Sequence, residues 1–206
     1  GRSATAAAAY RSASHIEDHR TGLSFDYRAR SGVDHVEILA PAHAPGWAQD
    51  RAALWNAVEA AETRKNSQVA REIRVALPAE LDHGQRVELV RDFCQRQFVD
   101  RGMVADIALH APGREGDDRN HHAHILLTTR EIAAEGFTTK NRDWNAVEVL
   151  EGWREAWAQD ANLALELAGH GERIDHRTLE AQRIEALELA HVAQEQGHEA
   201  EALEHT

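Results

Sequence analysis

Apolar and charged positions alternate from Gln68 through Val69, Ala70, Arg71, Glu72, Ile73, Arg74 and Val75 until Pro78 interrupts them. That period of two predicts a half-buried strand with Arg71 and Glu72 on opposite faces. Val33–Ala40 reads as a second strand, stopped by Pro41. Elsewhere the spacing is helical. Ala53, Leu54, Ala57, Val58 and Ala61 predict a helix within 47–64, and Val87, Leu89, Val90, Phe93, Cys94 and Phe98 predict another over 82–101, closed by Gly102. Ser3 followed by a run of alanines predicts a capped helix over 4–14 with Tyr10 in its second half. Residues 15–32 are polar and read as a loop with a short hairpin around Thr21-Gly22.

A second strand pair follows, 103–110 and 121–129, across a Pro/Gly/Asp-rich turn ending at Asn120. Beyond Phe137 the pattern is helical, starting at Asp143-Trp144-Asn145 and carrying Trp153, Trp157, Leu163, Leu165 and Leu167 on one helix that ends near Gly169. The link after His110 is too short for a helical crossover, so the strands it joins are antiparallel. The fold class is therefore α+β, an antiparallel sheet with helices packed on it. Residues 1–172 form the main domain; 173–206 read as an acidic helical extension or the start of a linker, without a tight core role.

The 206 residues and 22.9 kDa suffice for one sizeable core. No stretch approaches the roughly 18 apolar residues of a membrane span, and Cys94, the single cysteine, excludes an internal disulfide and a thiolate zinc cage. The formal charge of −12 argues at first against a nucleic-acid partner. Its distribution reverses that inference. Residues 1–130 hold 17 basic against 18 acidic side chains, whereas 131–206 hold 6 against 17. The nearly neutral first part, with Arg71, Arg74, Arg114, Arg119 and Arg130, can present a locally positive surface. The chain begins at Gly1 and stops within a charged helical pattern, which reads as a piece of a longer protein.

Fourteen histidines are the compositional hint of chemistry. His122-Ala123-His124 places two imidazoles on one face of a strand, and His110, ending the preceding strand, arrives beside them through the hairpin. Three convergent histidines with open coordination positions describe a catalytic metal site; the pair alone equally describes two surface histidines on an edge strand. Glu72 either serves a cation there or pairs with a neighbouring arginine in solvent. Tyr10 is a packing residue unless a cation or base activates its phenol. Arg119 and Asn120, in the turn before the pair, either touch phosphate or make the turn. His121 faces away from the pair, the remaining histidines read as solvated, and the five tryptophans read as core.

Three segments taken together, Ala8-Ala9-Tyr10-Arg11-Ser12-Ala13, Arg64-Lys65-Asn66-Ser67-Gln68-Val69-Ala70-Arg71-Glu72 and Asn120-His121-His122-Ala123-His124, resemble the N-terminal relaxase domain of the MobA/MobL family. The match also takes in Asp143-Trp144-Asn145 and Arg173-Ile174-Asp175-His176, from about Gly1 to His176. The resemblance implies a histidine-hydrophobe-histidine endonuclease fold, an antiparallel sheet with helices on one side. It also implies nicking of one strand at a plasmid origin of transfer, with a 5′-phosphotyrosine link that later permits rejoining. Tyr10 matches the nucleophile, His110, His122 and His124 the metal ligands, and Glu72 the active-site glutamate, as base or metal-site partner. Arg71, Arg74, Arg119 and Asn120 are the candidate DNA contacts.

The implied cofactor is a divalent ion, magnesium or manganese in work, with zinc or nickel also suited to three imidazoles. The implied partners are single-stranded origin DNA carrying a hairpin, a coupling protein and accessory transfer proteins. The implied location is the cytoplasm of a bacterial donor cell, with attachment to the transferred strand. A rolling-circle replication initiator and a non-cutting origin-binding module of the same fold are the alternative readings. Two departures stand out. His121 occupies a position where the family has proline, and the strand that precedes Gly-x-Ser-Ala in the family has no counterpart before Gly1.

Overall fold

The computed structural model describes residues 3–64, 67–113, 118–174 and the backbone of 185–190. Lys65, Asn66, Arg114, Asp175, His176, His191, His198 and His205 lie outside the described residues. Helix α1 (Ala4–Ser12) begins where the Ser3 hydroxyl accepts the Ala6 amide proton. Ala4, Ala6, Ala7, Ala8 and Ala9 are all buried, because methyl side chains let this helix approach its neighbours closely. It ends at Ala13, which takes the left-handed conformation (φ 53°) and returns its N–H to the helix. The hairpin expected near Thr21-Gly22 follows as β1 (His15–Glu17) and β2 (Ser24–Asp26).

Then come β3 (Val33–Leu39), α2 (Arg51–Ala61), β4 (Gln68–Ala76) and α3 (His83–Gln97), the last opened by a reciprocal Asp82–Gln85 capping box. β5 (Ala105–His110) and β6 (His122–Thr128) form the expected antiparallel hairpin, with His110 directly opposite His122. The chain continues through β7 (Arg130–Ala133), β8 (Gly136–Lys140), α4 (Val147–Leu167) and β9 (Glu185–Ala190).

Five strands make one sheet in the order β3-β5-β6-β4-β9, every neighbouring pair antiparallel. The period of two divides the strand residues between two cores. Ile73, Val75, Ile107, Leu109, Ile125 and Leu127 pack with Phe93 and Phe98 and with Trp153 and Trp157 of α4. On the other face Ala70 and Leu126 pack with α1 and with Leu54 and Trp55 of α2. The architecture is α+β with an antiparallel sheet, as expected, but helices cover both faces rather than one. The central strands leave no alternative, since all six residues of β5 are buried.

Two elements differ from the pattern reading. The region around Phe137 is not helical: β7 and β8 pair as a hairpin in which Ile132 opposes Phe137, and Gly136, at φ 139°, opens β8 directly after the turn at Ala134-Glu135. Within 173–206 the expected helix gives way at Glu185–Ala190 to a strand on the edge of β4. A sheet edge exposes a row of N–H and C=O groups that a strand satisfies and a helix cannot. A division after residue 172 would separate this strand from its sheet.

Candidate active site

Register builds the site. His110 of β5 opposes His122 of β6, and His124, two residues on, emerges from the same face. The three rings form a nearly equilateral triangle, with centroids 5.0 Å (110–122), 4.7 Å (110–124) and 5.2 Å (122–124) apart. One ring nitrogen from each lies within 4.8 Å of the others. One nitrogen of each ring is also hydrogen-bonded. Nε2 of His110 donates to the Arg11 carbonyl at 2.9 Å, Nδ1 of His122 to the Asn120 carbonyl at 3.2 Å, and Nδ1 of His124 to the Glu72 carboxylate at 2.8 Å. Carbonyls and carboxylates only accept, so each bond fixes a tautomer and leaves the other nitrogen with a lone pair.

Burial reinforces that state. It pushes His110 down to about 3 and His122 down to about 4, with the neighbouring rings and arginines adding to the effect. His124 is likewise lowered, chiefly by burial, although Glu72 works the other way. Neutral imidazoles with oriented second nitrogens are the donor set that a divalent ion takes, so the residues fit a metal.

Glu72 is 2% exposed, and its sheet face carries it toward His124 rather than into solvent. Burial favours its neutral form. The bond from His124 and the Arg11 guanidinium, whose Nε lies 2.6 Å from the same carboxylate oxygen, outweigh this and hold the carboxyl below its usual range. Of the two sequence readings for Glu72, solvent pairing is therefore excluded.

Tyr10 joins this group through α1. Arg11, the next residue, contributes its carbonyl to His110 and its side chain to Glu72, so the end of α1 is bonded twice to the histidine face. The Tyr10 ring meets Tyr27 edge-on at 5.1 Å and lies under the Arg30 guanidinium, 4.0 Å from the ring centroid. Arg74 opposes His124 in the β4–β6 register and therefore rises from the histidine face; it is half-buried. Among the described residues, Arg11, Arg30 and Arg74 thus gather around a site whose carboxylate is Glu72, which gives a positive locality in a chain of net charge −12.

Not every candidate belongs to this group. Arg71 points to the opposite face, where it donates to the Trp144 carbonyl (2.8 Å) and Asn145 (2.7 Å) and stacks on Trp153. It is a core tie, not a surface contact. Arg119 is exposed and pairs with Glu80, while Asn120 is exposed and lends its carbonyl to His122. His121 faces the charges of Arg86, Asp34 and His83, away from the cluster, as the alternation predicts. Arg30 and Tyr27 carry no sequence signal, since they belong to a polar loop. Arg11 carries only its place beside Tyr10.

The sequence profile of the MobA/MobL family, by that description, matches residues 2–205. A mobilization protein MobL from Acidithiobacillus ferridurans is 38% identical across 93% of this chain and 58% of its own length. A conjugal transfer protein TraA from Agrobacterium fabrum is 33% identical across 93% of this chain and 20% of its own. The chain thus spans only part of these curated relatives. A solved structure described as the molecular basis of vancomycin resistance transfer in Staphylococcus aureus superposes with a TM-score of 0.77 at 36% identity, covering 85% of this chain and 91% of the other.

Proposed function

Because the chain belongs to the MobA/MobL family of mobilisation and conjugal-transfer relaxases, with a fold of the histidine-hydrophobe-histidine type, we propose that it nicks one strand at a plasmid origin of transfer through Tyr10. The observation that carries this reading is the bond from His110 to the Arg11 carbonyl, which ties the helix end bearing Tyr10 to the three-imidazole cluster.

In the proposed reaction the Tyr10 phenol loses its proton and its oxygen bonds to phosphorus as the P–O3′ bond breaks. The strand is left with a 5′-phosphotyrosine on one side and a 3′-hydroxyl, which takes up a proton, on the other. Attack by that hydroxyl on the phosphotyrosine reverses every step and rejoins the strand. His110, His122 and His124 are the residues that would hold a divalent ion, magnesium or manganese in work. When bound, it would supply polarisation of the scissile phosphate and offset charge gathering on its oxygens.

Glu72 acts here as the partner that orients His124 rather than as the base for Tyr10, because its carboxylate is already engaged by two cationic or polar donors and is held at low basicity. Arg74 meets a backbone phosphate, with Arg119 and Asn120 nearer the rim. The substrate is single-stranded origin DNA with a hairpin, the partners are a coupling protein and accessory transfer proteins, and the place of action is the donor cytoplasm. Among the described residues no helix is long and apolar enough to cross a membrane.

The test is a denaturing gel of protein incubated with labelled single-stranded origin oligonucleotide and manganese. The expected result is a slow covalent adduct, absent with Tyr10→Phe and in excess EDTA, while Tyr10→Phe still binds the origin. No adduct from protein that binds metal and origin would replace this reading with that of a non-cutting origin-binding module.

A further inference from the structure

Tyr10 is held from two sides by one short turn. The turn 27–30 closes through the Arg30 amide, which donates to the Tyr27 carbonyl at 3.0 Å, and it is anchored to the end of α1 by the Tyr27 amide on the Ser14 carbonyl, also 3.0 Å. From this turn the Tyr27 ring abuts Tyr10 at 88°, and the Arg30 guanidinium covers the Tyr10 ring while its Nη1 donates to the Tyr10 carbonyl at 2.8 Å. One planar group therefore grips both the ring and the backbone of the same residue.

We infer that Arg30 is a positioning residue for Tyr10, one that limits the rotation of the phenol so that its oxygen meets phosphorus along a single line. This deepens the proposed nicking reaction and rests on it. A tyrosine side chain turns about two bonds, and in-line displacement accepts a narrow range of oxygen positions. Covering one ring face with a cation anchored to the same residue's carbonyl restricts the first of these rotations, and the Tyr27 edge restricts the second. Reversal has the same requirement, since the phosphotyrosine must present the opposite face of phosphorus to the returning hydroxyl.

Arg30 suits this task better than lysine would, because the flat guanidinium can stack and donate in its own plane at once. Among the described residues the other cation over the ring, Arg11 at 5.2 Å, is committed to Glu72. Burial pulls the Arg30 guanidinium below its ordinary basicity, and Tyr10 opposes that loss.

Two measurements test the inference. Single-turnover adduct formation with manganese and the labelled origin strand should slow about 100-fold in Arg30→Met, the scale that misplacement of a reacting group produces. Origin affinity should remain nearly unchanged, and Arg30→Lys should fall in between. The second is fluorine NMR of protein carrying 3-fluorotyrosine. The chain has two tyrosines, so Tyr27→Phe assigns the spectrum, and Arg30→Met should shift and broaden the Tyr10 signal.

Parallel loss of rate and affinity would make Arg30 a DNA contact and overturn the positioning role. Wild-type rates in Arg30→Met, or an unmoved Tyr10 resonance, would do the same. Absence of an adduct with the unaltered protein would instead remove the nicking reading, while the fluorine spectra would still decide whether Arg30 holds the ring.

Discussion

His110, His122 and His124 owe their metal-ready state to three acceptors that each hold one ring N–H. The Arg11 and Asn120 carbonyls and the Glu72 carboxylate each bind one ring N–H and so decide which nitrogen is free. Glu72→Gln should therefore weaken manganese binding by about 10- to 100-fold, read by titration calorimetry; unchanged affinity would remove Glu72 from the site. The lowered histidines also have a consequence for stability. An unfolded histidine titrates near 6.5, whereas folded His110 and His122 resist protonation down to about 3 and 4. Between those values the unfolded chain binds more protons, so the metal-free fold loses stability as pH falls below about 6.5. Melting temperatures should drop from pH 7 to pH 5, and His122→Gln should flatten part of that slope. An equally steep slope in the variant would contradict the assignment.

At the scale of elements, α1 is the unusual one. Its alanine-rich surface allows the close packing that brings Tyr10 and Arg11 to the sheet, and its exit through Ala13 puts a residue with a Cβ in the left-handed region. That conformation costs an alanine about 1 kcal/mol, partly offset by the greater unfolded freedom of glycine. Ala13→Gly should leave the melting temperature unchanged or raise it by about 2 °C; a fall would show that the methyl packs usefully. The α3–α4 side behaves independently of the site. Phe98 stacks edge-on with Trp153 at 4.9 Å and with Phe93 at 5.4 Å, on the face of the sheet away from the histidines. Phe98→Ala should cost about 3–5 kcal/mol in denaturant unfolding, yet leave the metal affinity of the folded protein within a factor of two or so.

For the whole molecule, charge segregation matters more than its sum. The acidic excess lies after residue 130, while Arg11, Arg30 and Arg74 collect, among the described residues, around the buried Glu72 carboxylate. Origin binding should weaken with salt, with a slope in log affinity of about −1.4 if Arg74 and Arg119 each meet one phosphate of a single strand. Arg74→Gln should reduce the magnitude of that slope by about 0.7. A slope near zero would assign binding to base contacts alone.

Much of this was legible from local pattern. Period two located β4, the Pro/Gly/Asp-rich turn separated β5 from β6, helical spacing located α2 and α3, and the short link after His110 fixed the antiparallel pairing that aligns His110 with His122. These follow from covalent geometry, which makes neighbours on a strand face predictable from sequence spacing. The strand at Glu185–Ala190 was not legible because its partner β4 is distant in sequence, and the β7–β8 hairpin, although local, was not legible because its alternation is weak. The same holds at the site. The histidine triad could be read from the chain, and the period of two already puts Arg71 and Arg74 on opposite faces, but only the packing of those faces ties Arg71 to Trp144 and Asn145 and leaves Arg74 beside the histidines. Arg11 and Arg30 acquire their roles from contacts across 61 and 20 residues. Sequence determined which groups could do chemistry; packing of α1 and the turn at 27–30 against the sheet decided which of them meet, because side-chain convergence between distant segments is set by tertiary contacts and not by spacing along the chain.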